Sequence, residues 1–228
     1  MMVKEKNDCH NSQPCGIWGC AGQLKIIWGK LFMKKLMSLL LSIIMILAGP
    51  AMTSYAKPDW PADTGIQSEA GIVMDMDSKT VIFGQNIHVQ KAPASITKLL
   101  TALVVIENAN LDDMVTFSDD AIHNVEEGAG NKNALEPGDK MTVQDCLYHM
   151  LLTSSNQSAN ALAEHVAGSR DAFVAMMNEK VKELGCENSH FANPSGLNDD
   201  TQLTTVYDMA LIGTAAYENP VLLEIGSA

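Results

Sequence analysis

The sequence predicts an α/β fold in which a β-hairpin leads into a block of helices, with an export segment ahead of both. Three observations predict it. Residues 68–86, SEAGIVMDMDSKTVIFGQN, are two apolar stretches either side of a turn at Asp77-Ser78-Lys79, a hairpin pattern. From Ala94 onward, apolar residues recur at helical spacing in five segments. Glycine or turn-forming residues close those segments, as helix ends require.

Taken in order, the chain starts with residues 1–32, which carry Cys9, Cys15 and Cys20 at a spacing that fits no standard zinc pattern. At Met33 the sequence MKKLMSLLLSIIMILAGPAMTSYA begins. Lys34 and Lys35 are followed by an apolar run too short for a comfortable membrane span. A Gly-Pro break and small residues at Ser54 and Ala56 come next, so 33–56 reads as a signal peptide. Such a peptide normally starts a chain, so Met33 is the expected true start and 1–32 an upstream extension. The body is then 57–228.

The expected helices are Ala94–Glu107, Thr142–Leu152, Ser158–Val166, Arg170–Leu184 and Thr205–Tyr217. Thr142 and Asp145 are spaced as a capping box, with Asp in place of the usual Glu or Gln. Gly168 and Gly185 are the stops of the third and fourth. The stretch FANPSGLNDDTQLTT, from Phe191, has the composition of a loop. No repeat or inter-domain linker interrupts the body.

Charge and composition exclude some functions. The net charge is −12, and from Lys57 onward nine basic residues face 25 acidic ones, with Arg170 the single arginine. Such a surface does not suit a nucleic acid or an anionic membrane. The histidines His88, His123, His149 and His165 form no H-x-x-H or H-E-x-x-H pattern, so nothing here calls for a metal or cofactor. The acidic run Asp119, Asp120, Glu126 and Glu127 reads as a solvated face. Cys146, in an apolar run, reads as a buried free thiol, with a Cys146–Cys186 disulfide as the alternative if the compartment is oxidising.

The chemistry concentrates in two short motifs. Ser95 and Lys98 stand three apart at the start of a helix, on one face, where hydroxyl and amine can meet. A serine hydroxyl needs a neighbour to take its proton, and a helix N-terminus offers N–H groups to a developing oxyanion. The plain alternative is an N-cap serine beside a solvated lysine. Downstream, Ser154, Ser155 and Asn156 form a polar connection between two apolar runs. There Ser154 can relay a proton and Asn156 can hold a substrate carbonyl or steady Lys98. The plain alternative is a capping turn.

S-x-x-K followed by S-x-N is two thirds of the signature of penicillin-binding proteins and class A β-lactamases. PASITKLLTALV, LEPGDKMTVQDCLYHMLLTSSNQSANALAEHVAGS and FANPSGLNDDTQLTTVYDMALIGTAAYENP resemble a serine-type D-alanyl-D-alanine carboxypeptidase of the low-molecular-mass penicillin-binding proteins. The resemblance covers residues 65 to 228. It implies the β-lactamase/DD-peptidase-like fold, peptidoglycan pentapeptide stems as substrate and β-lactam antibiotics as acylating inhibitors. It also implies a location outside the cytoplasmic membrane, which the chain touches only through its signal segment.

On that resemblance Ser95 is the nucleophile, Lys98 its base, Ser154 the proton relay and Asn156 the positioning amide. The third motif, K-T-G, occurs nowhere after Asn156, and the SKT at Ser78–Thr80 precedes the nucleophile. The expectation is therefore a C-terminally truncated member, missing the later sheet strands and impaired in activity. A class A β-lactamase fits less well, because ENSHFANPSGLND holds no glutamate in a matching loop. A non-catalytic penicillin-binding fragment is the remaining alternative.

Overall fold

The hairpin turn closes through Asp75. Its Oδ1 accepts from Ser78 N at 2.8 Å and Ser78 Oγ at 2.6 Å, and its own N–H reaches Thr80 O at 2.9 Å. Those two donors hold the Asp75 carboxyl below its ordinary value. Strands β1 (Gly71–Met74) and β2 (Val81–Gln85) pair antiparallel from Gly71↔Gln85 to Met74↔Val81, with an irregularity at Val73/Met74. These features come from a computed structural model that describes residues 33–40, 65–125, 134–197 and 199–228. Everything that follows belongs to a unit spanning Thr64–Ala228; residues 33–40, in the other unit, are helical. The rest of the expected signal peptide, the extension 1–32 with its three cysteines, and Glu126 and Glu127 lie outside the described residues. Among the described residues no helix is long and apolar enough to cross a membrane.

Helix α1 (Lys98–Asn108) runs through the centre. Its sequence is apolar on most sides, and Leu100, Ala102, Leu103, Val104 and Val105 are all buried. Strand β3 (Met114–Thr116) follows, then α2 (Asp119–His123) and β4 (Lys140–Thr142), which pairs back on β3. Helices α3 (Val143–Thr153), α4 (Asn156–Ala167), α5 (Arg170–Glu183) and α6 (Val206–Glu218) pack against α1. The last helix is α7 (Pro220–Gly226), and the hairpin lies against α6. Phe117, Phe173, Phe191, Leu100, Leu147, Met150, Leu162, Met177 and Ile212 are fully enclosed. Each is worth about 1.5–3 kcal/mol of burial.

Caps set the helix boundaries. Side-chain oxygens of Ser118, Thr142, Ser155, Ser169, Thr205 and Asn219 accept the first free N–H groups of α2 to α7. Thr142 accepts from Asp145 N at 3.0 Å and donates its hydroxyl to Asp145 Oδ2 at 2.8 Å, so the expected box closes through hydroxyl rather than backbone. Gly168 and Gly185, both at φ 77°, end α4 and α5.

Several expectations need correction. The helix expected from Ala94 opens as a 3₁₀ turn, Ala94–Thr97, and becomes α-helical only at Lys98. Helix α4 starts at Asn156, two residues early, because Ser155 caps it; the polar connection is therefore Ser154 and Ser155 alone. Asp119 and Asp120 are exposed but not merely solvated. They form the acidic first turn of α2, and Asp120 pairs with Arg170 at 2.8 Å. Cys146 and Cys186 are free and buried, so the disulfide alternative falls. Burial, aided by Asp145 and Asp208 respectively, pushes each thiol up to about 12.

Candidate active site

Ser95 sits at the exposed front of the 3₁₀ turn, and among the described residues its hydroxyl caps no helix. Neither Pro93 before that turn nor Thr97 before α1 makes a side-chain cap bond. The capped-helix alternative for Ser95 is thereby removed. Lys98 is not solvated either, since it is 2% exposed. Its Nζ lies 2.7 Å from Asn156 Oδ1, 2.7 Å from the Ser195 carbonyl and 3.4 Å from Ser95 Oγ. Three segments far apart in sequence thus meet on one amine.

The spacing of these contacts bears on what the amine can do. A neutral amine has two N–H bonds, which the two carbonyl oxygens can accept. In that form its lone pair would be left for the Ser95 hydroxyl. The 3.4 Å separation is long for a hydrogen bond.

Ser154 stands at the corner between α3 and α4, exposed, in the left-handed region at φ 59°, ψ 37°. For a residue with a Cβ that conformation costs about 1–2 kcal/mol, so the surrounding corner must hold it. Thr153 Oγ1 donates to His149 O at 2.7 Å, and Ser158 N donates to Ser155 Oγ at 3.2 Å. Across the corner, His149 Nδ1 and Ser158 Oγ are 2.7 Å apart.

Burial pushes the His149 imidazole below its ordinary value of 6.5. Above 6.5 the ring is neutral whether folded or unfolded, and the fold has its full stability. As pH falls below that, the unfolded chain takes up a proton that the folded chain refuses. The contribution is lost as pH drops through the lowered folded value. Denaturant titrations of the wild type and His149→Asn should therefore converge or cross between about pH 7 and 5. A constant difference across that range would contradict this.

The loop Phe191–Leu197 carries loop chemistry and part of the family resemblance in the sequence, but no site residue was expected there; it supplies the Ser195 carbonyl. Asn193 builds it, with Oδ1 accepting from Ser195 N (3.2 Å), Ser195 Oγ (3.0 Å) and Gly196 N (2.7 Å). Gln202 Oε1 takes the N–H groups of Ala192 and Asn193, and Thr101 Oγ1 on α1 donates to Pro194 O at 2.7 Å. Gly196, at φ 96°, comes so close that a Cβ there would sit 1.9 Å from Ala94 O and 2.9 Å from Thr97 Oγ1. Ala94 itself has φ 51°, so the residue before Ser95 is strained and the loop presses on it. The sequence signal was the run Asn-Pro-Ser-Gly, an Asx turn with glycine at its left-handed position.

With this geometry in place, the comparisons decide the family. The sequence profile of peptidase S11, D-alanyl-D-alanine carboxypeptidase, matches residues 55–225. The chain belongs to the D-alanyl-D-alanine carboxypeptidase family. It is 36% identical over 185 residues to D-alanyl-D-alanine carboxypeptidase DacF of Bacillus subtilis, covering 79% of this chain and 47% of that protein. It is 37% identical over 174 residues to DacB2 of Mycobacterium tuberculosis, covering 75% of this chain and 56% of that protein. Penicillin binding protein 6B from Escherichia coli matches with a TM-score of 0.68 at 30% identity, over 75% of this chain and 56% of that one. DacD from Francisella tularensis matches at 0.65 and 33%, over 70% and 39%. The fold of this carboxypeptidase-family chain is that of the DD-peptidases and penicillin-binding proteins, as expected. The chain spans about half the length of the curated relatives it matches.

Proposed function

We propose that this chain carries serine-type D-alanyl-D-alanine carboxypeptidase chemistry, acting on peptidoglycan stem peptides through an acyl-enzyme on Ser95. The observation that carries the reading is the buried Lys98 amine, held by Asn156 and the Ser195 carbonyl and aimed at Ser95 Oγ. Ser95 Oγ attacks the penultimate D-Ala carbonyl while Lys98 takes its proton. The peptide C–N bond breaks, and the departing D-Ala amine receives a proton through Ser154. Water then cleaves the Ser95 ester and frees the shortened stem. The Ser95 N–H, on the opening turn of the helix, supplies one oxyanion donor.

β-Lactams, which mimic the D-Ala-D-Ala end, should acylate the same serine. Residues 33–56 would direct export, placing the body on the wall side of the cytoplasmic membrane.

The test is covalent labelling of the full chain with a fluorescent penicillin, read by gel and by intact mass. One label per chain on the peptide bearing Ser95 is expected, and none on Ser95→Ala. Labelling that survives Ser95→Ala, or a folded wild type that takes no label, would overturn the assignment.

A further inference from the structure

We propose that His149 and Ser158 form a clasp across the α3–α4 corner, and that both are positioning residues for acylation because they fix where Ser154 and Asn156 stand. The inference rests on the Ser95 reading above. His149 lies one turn before the end of α3 and is half-buried, whereas Ser158 lies in the first turn of α4 and is fully buried. Their side chains meet at 2.7 Å, Nδ1 to Oγ. The bond thus spans the only two residues, Ser154 and Ser155, that separate the helices.

Both ends of the clasp also tie to the corner itself. The His149 carbonyl accepts the Thr153 hydroxyl, and the Ser158 N–H donates to the Ser155 hydroxyl. Each clasp residue therefore holds one side of Ser154 through its backbone and the opposite helix through its side chain. Ser154 needs such support, since it occupies the left-handed region without being glycine. Asn156, two residues before Ser158 on the same rigid turn, delivers Oδ1 to the Lys98 amine at 2.7 Å. A neutral imidazole and a hydroxyl satisfy one another here. The burial that opposes a charged ring at this place keeps the pairing in that form.

The test uses the full chain and three variants, Ser158→Ala, His149→Leu and His149→Asn. The asparagine amide reaches about as far as Nδ1 and can restore the bond. Labelling rates across a range of penicillin concentrations separate non-covalent affinity from the acylation rate constant. In Ser158→Ala and His149→Leu the rate constant should fall about fivefold, the equivalent of one hydrogen bond, with affinity unchanged. His149→Asn should recover most of it. Amide hydrogen exchange at 154–156 should quicken about as much in the two disrupting variants.

An unchanged rate constant in Ser158→Ala overturns the positioning role even if exchange quickens. So does a failure of His149→Asn to recover what His149→Leu loses. If the wild type takes no label, the Ser95 reading fails and the positioning role falls with it. Unaltered exchange in that case would show that the clasp itself does not hold the corner either.

Discussion

Lys98→Met is expected to abolish acylation while leaving the fold in place. Methionine is close to lysine in length and apolar stem, so the buried space that Lys98 occupies stays filled. What disappears is the amine between Asn156 Oδ1, the Ser195 carbonyl and Ser95 Oγ. Two effects on stability oppose one another. The two carbonyl oxygens lose a partner, at about 1–3 kcal/mol for each one left buried and unpaired. Against that, a polar group that was 2% exposed no longer has to be kept out of water. The net change should be small beside the chemical loss, since removing a general base costs about 10²–10⁴ in rate. Thermal denaturation should move by a few degrees at most, and penicillin labelling should drop below detection. Labelling within tenfold of wild type would show that Lys98 is not the base.

Gly196→Ala is expected to damage stability and activity together. A Cβ at 196 would lie 1.9 Å from Ala94 O and 2.5 Å from Ala94 C. A side chain could swing aside, but these are backbone atoms of the turn that carries Ser95. Alanine also resists φ 96°. Overpacking and the backbone penalty together suggest a loss of about 2–4 kcal/mol. The loop must retreat, and the Ser195 carbonyl one residue before Gly196 retreats with it. Denaturant unfolding should show the loss, and labelling under native conditions should slow by more than the unfolded fraction explains. A variant as stable and as quickly labelled as wild type would mean that the close approach plays no part.

Much of this could be read from local sequence. The hairpin was legible because Asp77, Ser78 and Lys79 are turn chemistry between apolar stretches, although the side chain that closes the turn, Asp75, was not picked out. The five main helices were legible because each carries an apolar stripe, and all but α1 also carry a side-chain cap. Strands β3 and β4 were not, since three residues such as Met-Val-Thr give no alternation to detect. Helix α7 was missed although Asn219-Pro220 is a cap followed by a first-turn proline.

Within the site, Ser95 and Lys98 were visible as a pair because they stand three apart. Asn156 was visible through its motif, although its place inside α4 rather than in a loop depended on which serine caps the helix. The Ser195 carbonyl was invisible, because a main-chain oxygen leaves no residue-type signature. Only the turn that aims it, Asn193 to Gly196, does so.

The meeting of Gly196 with Ala94 also bears on how the molecule comes together. Lys98 and the carbonyl that holds it are 97 residues apart. The helices between them can form from neighbouring contacts, but this junction closes a loop that encompasses most of the body. Such distant closure forfeits chain entropy before any contact rewards it. Closure over such a distance favours docking of the intervening helices before the Lys98 amine meets the Ser195 carbonyl.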